Sequence, residues 1–333
     1  MRRAGAALKS DGMALTVRPA ALADAPAIRD LMNAVDLVEI GRPETDLHTV
    51  EADLAHPETD LARDTWLLTD TDTGAEGPVG YGVIWSDSGQ GDIGVDLYTL
   101  PGRPDATALL LERIEERAAE TAAAAGAARA VLHLHLNVRP ALDTGLLTGR
   151  GWRTVRRHQI MTRPLSSASD TPPVPPAGLV LRDCRAEADR RLAHALVEET
   201  FAEHFDHHPR PYASWLADID GARLDWSLVW IASLPGEGDV AVLLSRDDRE
   251  AMGWIGNVGV VKRARGRGVA GHLLRHAFAV YAARGRDTIG LGVDTGNETR
   301  ALALYEAHGM TLHYAVDTWE VTLPAAAGAA RPR

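Results

Sequence analysis

The sequence predicts an α/β protein made of two tandem modules, each a mixed, mostly antiparallel sheet flanked by helices. Three observations carry this expectation. The segment SSASDTPPVPP, residues 166–176, is rich in Ser and Pro and poor in large apolar side chains, so it reads as a linker that divides the chain nearly in half. The two halves show one order of hydrophobic patterns, the mark of an internal duplication. Within each half, short apolar-rich runs with strand character alternate with helical periodicity, the pattern of sheet and helix layered on each other.

The elements follow in order. Each half opens on a short strand and a helix with apolar residues three and four apart, LTVRPAALADAPAIRDLM from Leu15 and LVLRDCRAEADRRLAHALV from Leu179. A strand pair joined by a Gly-containing turn comes next: TWLLTDTD with PVGYGVIW, and SLVWIASL with DVAVLLSR. DIGVDLYTL and GWIGNVGVV follow, each leading through a loop into a long helix, Thr107 to Ala124 and Val269 to Arg284. Then come RAVLHLHL and TIGLGVDT, a short helix, a glycine step at Gly151 and Gly309, and a closing strand. The unit reads β-α-β-β-β-α-β-α-β. Its boundaries are placed at 14–165 and 179–324, with 166–178 as the linker.

Composition narrows the function. The chain has 333 residues, 45% of them hydrophobic, and a formal net charge of −11. An acidic chain argues against nucleic acid as a partner, because a phosphate backbone is gripped by basic faces. Lysine occurs only at Lys9 and Lys262 among many arginines and alanines, the composition of a GC-rich bacterial genome. Cys184 is the single cysteine, so no disulfide within the chain and no thiolate metal cluster is expected, and the residue reads as packing. The first residues lack the apolar core of a secretory signal, no run has the length of a membrane span, and a cytoplasmic protein is expected.

One stretch carries chemistry. Gly266-Arg267-Gly268-Val269-Ala270-Gly271 spells G-x-G-x-x-G at the start of a helix, and Asp294 follows at about the distance a dinucleotide fingerprint requires. Glycines there admit a phosphate to backbone N–H groups at a helix start. A dinucleotide fold, however, carries this turn first and adds several strands after it, and too little chain follows Asp294 to hold them. The polar stretch Lys262 to Arg265 also separates strand from glycines where that fold turns tightly. A nicotinamide site is therefore disfavoured.

VGVVKRARGRGVAGHLLRHAF instead resembles the acyl-CoA-binding loop of the GNAT acetyltransferase superfamily, whose Arg/Gln-x-x-Gly-x-Gly/Ala pattern falls on Arg265, Gly268 and Ala270. NETRALALYEAHGM, from Asn297 to Met310, resembles that family's Asn-x-x-x-Ala-x-x-x-Tyr-x-x-x-Gly-Phe segment, with Met310 in place of Phe. The likeness covers 179–324 by motif and 14–165 by pattern, chiefly VRPAALADAPAI and GRGW. Two-module relatives of the mycothiol synthase type share the arrangement. The resemblance implies acetyl-CoA as acyl donor. Its pyrophosphate would rest on the N–H groups of Arg265, Gly266, Arg267, Gly268, Val269 and Ala270, and its pantetheine arm on main-chain groups of Val258 and Val260 where that strand splays from the next. Asn297 would touch the arm, and Tyr305 would act as general acid towards the departing thiolate. No resident metal is implied.

A general base is not legible. Relatives often carry a glutamate on the strand before the loop, and here that strand has only Asn257. Glu203, His204, Asp206, His207 and His208 are the candidates, in a segment that walls the acceptor site in relatives. His133 and His135 alternate on one strand face and read as surface or satisfied histidines. The first half departs from the pattern: Asp105 stands opposite Gly268, Thr107 opposite Ala270 and Leu147 opposite Tyr305, so this half is expected to lack catalysis. The expected activity is direct acetyl transfer to the primary amine of a small molecule by the second module, in a monomer or homodimer. The alternative is a non-catalytic acyl-CoA sensor or partner-binding module.

Overall fold

A computed structural model of the chain describes residues 15–56, 59–72, 77–85, 91–204, 209–221, 224–249, 252–296 and 301–326. They form two compact units, one of residues 1–157 with 316–333 and one of residues 158–315.

Unit 1 runs β1 (Leu15–Arg18), α1 (Ala25–Glu39), α2 (Leu47–Leu54), α3 (Leu61–Asp64), β2 (Thr65–Asp70), β3 (Pro78–Trp85), β4 (Asp92–Thr99), α4 (Pro104–Ala124), β5 (Arg129–Asn137) and α5 (Thr144–Gly149), and enters β6 (Arg153–Pro164). Its strands pair in the order β1-β2-β3-β4-β5, all antiparallel except the parallel pair β4 and β5. Helices cover both faces. Ile28, Leu31 and Val35 of α1, at helical spacing, are buried, and the first two pack on Leu67, Tyr81 and Val83. Leu110, Leu111, Ile114 and Ala118 of α4 cover the other face with Leu68, Val79 and Leu132.

Unit 2 contains β7 (Val180–Asp183), α6 (Glu187–Phe201), α7 (Tyr212–Gly221), β8 (Val229–Leu234), β9 (Gly238–Arg246), β10 (Gly253–Val260), α8 (Val269–Ala283), β11 (Thr288–Asp294) and α9 (Ala301–Ala307), and enters β12 (Thr311–Pro324). Its sheet repeats the first: β7-β8-β9-β10-β11, antiparallel but for β10 and β11. Leu273, Leu274, Ala277 and Phe278 of α8 pack with Leu243, Ile255, Leu291 and Val293 on one face. Ala193, Leu196 and Val197 of α6 and Trp215 of α7 pack with Val229, Ile231, Val240 and Val242 on the other. The repeated topology is the expected duplication. The helices α2, α3 and α7 are additions, short pieces such as LHTVEADL in which Val50 and Leu54 alone are buried.

The closing strands do not follow the sequence halves. β6 passes into unit 2 from His158, where His158–Pro164 pair antiparallel with Asp294–Thr288 of β11. β12 passes into unit 1 from Val316, where Val316–Pro324 pair with Asn137–Arg129 of β5. His133 and His135 thereby face Glu320 and Thr318, at 3.3 Å and 3.1 Å. The Ser/Pro segment is coil, and Asp170 within it is held by Arg163 at 2.7 Å. Cys184 is buried, and burial pushes its thiol up to about 12, the state of a packing residue rather than a nucleophile.

A carboxylate is stored at a cost in unit 1. Asp96 of β4 is half-buried, and burial, with a second contribution from the Asp53 charge, pushes its carboxyl up to about 7. The folded state therefore holds this proton more tightly than the unfolded chain, and stability falls as pH rises from about 4 to about 7. Asp96→Asn should raise the stability of unit 1 by about 1–3 kcal/mol at pH 8, the lower part of the linkage range because part of the side chain still reaches solvent. The gain should vanish near pH 4. Urea unfolding of both proteins at the two pH values checks this, and an equal difference at both would contradict it.

Candidate active site

The site is built where two parallel strands part. β10 and β11 pair from Gly253–Ile289 to Ile255–Leu291 and no further, although β10 runs on to Val260 and β11 to Asp294. The β9–β10 register shifts between Ile255 and Asn257, a bulge at Gly256 that turns the rest of β10 away from β11. Gly259 settles how close the covering helix comes. A Cβ there would stand 2.1 Å from the Thr200 hydroxyl of α6, so only glycine fits. The gap opens into a cavity of about 500 Å³, walled by Val258, Gly259 and Val260 on one side and Gly292, Val293 and Asp294 on the other.

The glycine-rich loop closes one end. Gly266 and Gly268 have φ of 77° and 76°, the left-handed region that glycine enters without strain. Gly268 is the N-cap of α8, and the first backbone bond at that end runs from the His272 N–H to the Gly268 carbonyl. The N–H groups of Gly266, Arg267, Gly268, Val269, Ala270 and Gly271 have no backbone partner among the described residues. These donors, with the positive end of the helix dipole, form an anion cradle. Gly266, Gly268, Val269, Ala270 and Gly271 line the cavity. Arg265 lines it too, its Nε donating to the Val260 carbonyl at 3.1 Å. Arg267 is not among the lining residues and pairs with Glu237.

Tyr305 stands on the wall formed by α8 and α9, packed with Val293 and Leu273. It is 7% exposed, lines the cavity, and is kept protonated by burial, which pushes its phenol up to about 12. Val258 and Val260, expected on the arm-binding strand, lie along the gap. Asn297 lies outside the described residues, as do Asp206, His207 and His208. Glu203 is bonded to Lys262 at 2.6 Å on the exposed surface, and His204 lines the cavity with its ring 4.3 Å from that of Phe201. Sequence reading missed His158, which reaches this cavity from β6. Among the described residues no group of three or more His, Cys, Asp or Glu is placed to hold a metal ion.

Unit 1 fills the corresponding place with its own charge. β4 and β5 also stop pairing, after Val95–Leu134, but the β3–β4 register is unbroken. At the start of α4, Arg103 binds Asp105 at 2.8 Å and the buried Asp70 at 3.0 Å. The Arg103 guanidinium, with the Ala106 N–H, holds the Asp105 carboxyl below its usual range. The carboxylate thus occupies helix-start donors that the second loop leaves open. Leu147 of α5 is fully buried in the core.

Residues 190–310 match the sequence profile of the acetyltransferase (GNAT) family. Over these residues, about a third of the chain, the sequence is that of a GNAT acetyltransferase module. A mycothiol acetyltransferase of Beutenbergia cavernae is 36% identical over 130 residues, 38% of this chain and 42% of that protein, so the match spans less than half the relative's length. A GCN5-related N-acetyltransferase from Sphaerobacter thermophilus superposes with a TM-score of 0.78 at 26% identity, over 93% of this chain and 96% of the other. A tandem GNAT protein from the clavulanic acid biosynthesis pathway superposes with a TM-score of 0.67 at 17% identity, over 94% and 99% of the two chains, a likeness of fold. The GNAT profile falls on the unit with the open cradle. No helix among the described residues is long and apolar enough to cross a membrane.

Proposed function

We propose that unit 2 transfers an acetyl group from acetyl-CoA directly to the primary amine of a small molecule. The observation that carries this is the alignment of three features on one cavity: the strand gap beyond Ile255 and Leu291, the open N–H donors at 266–271, and a protonated Tyr305. The gap exposes main-chain groups of Val258 and Val260 to an extended arm, and the cradle receives the pyrophosphate. The residues present therefore fit the donor. Transfer then rests on holding the amine against the thioester carbonyl and on placing donors where charge develops on oxygen and sulfur. Tyr305 donates a hydrogen bond towards the departing sulfur.

Unit 1 serves no transfer in this reading, because Asp105 already sets a carboxylate in the first turn of its helix. Calorimetric titration should find one acetyl-CoA per chain. Asp105→Asn should leave that affinity within about twofold, since the cradle lies in the other unit. Two equivalent sites would contradict this assignment. Thiol release from acetyl-CoA over a panel of primary amines (spermidine, kanamycin, glucosamine, L-lysine) tests the transfer itself.

Asn257 favours a second reading. β10 carries no carboxylate beside the gap, so a module that binds acyl-CoA without turnover, a sensor, is the alternative. Saturable acetyl-CoA binding with no thiol release over the panel would establish it.

A further inference from the structure

The proposed transfer lacks a proton acceptor on β10, and the structure supplies one from an unexpected place. β6 enters unit 2 at His158, directly opposite Asp294 in the β11 register. Directly opposed residues of an antiparallel pair stand on one face, with Cβ atoms about 4.5–5.5 Å apart. Both residues line the cavity, and both are half-buried. The Asp294 carboxylate is fixed in turn, its Oδ1 accepting from the Gly296 N–H at 2.8 Å.

The face matters. Met161 of β6, with Leu291 and Val293 of β11, packs in the core beneath α8, the same cluster that holds Tyr305. Strand side chains alternate between faces, so His158 and Asp294 point the other way. Gly292 and Ile160 confirm the alternation, because a Cβ on Gly292 would stand 3.5 Å from Ile160 Cδ1. That second face is the one α6 covers, with Thr200 against Gly259. An acyl group held in the strand gap therefore has a phenol on one side and an imidazole on the other.

We propose that His158 is the general base of the transfer and that Asp294 is a positioning residue that orients its ring. The proposal rests on the acetyl-transfer reading of this cavity. In the step, the amine nitrogen forms a bond to the thioester carbonyl carbon and gives a proton to His158. The C–S bond breaks with its electron pair on sulfur, which Tyr305 hydrogen-bonds and solvent protonates to the free thiol. His158 returns its proton to solvent, so no oxidant or further reactant is needed. Histidine suits the task because its imidazole ordinarily titrates near neutrality. His204, just past the end of α6, lines the same cavity. It lies outside any strand register, whereas His158 sits within a paired strand.

The test uses the full chain and steady-state thiol release with the best amine of the panel. His158→Gln should lower kcat/KM for the amine by about 100-fold or more, the usual scale of a lost general base. Acetyl-CoA affinity by calorimetry should stay within about threefold. His158→Ala should regain activity with added imidazole, which a packing role would not show. Asp294→Asn should give a smaller loss, in kcat rather than in the KM for the amine. Retained activity in His158→Gln, or a large loss in His204→Gln instead, would overturn the proposal while leaving acetyl transfer intact. Acetyl-CoA binding without thiol release in the unaltered chain would overturn both this and the transfer reading. Loss of acetyl-CoA binding in His158→Gln would show a structural role and overturn it as well.

Discussion

Gly268→Asp is expected to weaken acetyl-CoA binding by at least 100-fold, about 2.7 kcal/mol. Two effects act at this position. The backbone is left-handed, φ 76°, which costs an ordinary L-residue about 1–2 kcal/mol. Aspartate tolerates that region better than most residues, so strain is the smaller part. The larger part is charge, because the carboxylate would stand at the N-cap of α8 among the donors that await a pyrophosphate. Gly268→Asn separates the two: it has the same shape and the same tolerance of left-handed backbone, without the charge. Nothing lies within 4 Å of a Cβ built there, so neither variant is excluded sterically. Calorimetry should give less than a tenfold loss for Asn against the 100-fold loss for Asp. Equal losses would mean that backbone shape, not the anion cradle, governs binding. Unit 1 already carries an aspartate at the matching helix start, Asp105, held there by Arg103.

Much of this architecture was legible from residues 15–324. Strand alternation and helical spacing locate most elements within a few residues, as at Pro104–Ala124 and Gly253–Val260. The shape of the loop was legible too, because glycines with left-handed backbone leave a spelling. The bulge at Gly256 was not, since a register shift depends on what the neighbouring strand does. Nor was the origin of the closing strands. RTVRRHQIMTRP reads as a strand wherever it pairs, and nothing in its periodicity says that its second part joins β11 of the other unit. His158 was therefore invisible as a site residue: it lies far from the loop in sequence and ahead of the Ser/Pro segment. Asp294, noted only as part of a dinucleotide spelling, proves to stand across from it. The segment searched instead for a base supplied Glu203, which Lys262 holds on the surface, and His204, which remains in the cavity wall.

Tyr305→Phe should lower kcat by about 100-fold with little change in acetyl-CoA affinity. The size follows from what the phenol can do. Burial places it at about 12, while a thiol ordinarily titrates near ~8.5. Complete proton transfer from this phenol to a thiolate would run uphill by roughly 3.5 pKa units, about 5 kcal/mol. Its more useful contribution is a hydrogen bond to negative charge as the C–S bond lengthens, and loss of one such preorganised donor costs about 10²–10³ in rate. The raised value also fixes the sign of the pH dependence. A group that titrates at about 12 stays protonated throughout the neutral range, so Tyr305 should produce no descending limb in kcat between pH 6 and pH 10. Phenylalanine keeps the ring packed against Val293 and Leu273, so the variant should unfold at the temperature of the unaltered chain within a few degrees. Steady-state rates from pH 6 to pH 10, with thermal unfolding as the control, decide it. A loss of similar size at every pH supports the hydrogen-bond role. A wild-type limb near pH 8 or 9 that the substitution removes would show that substrate binding lowers the phenol enough for full proton transfer. An unchanged kcat would place Tyr305 in the core alone.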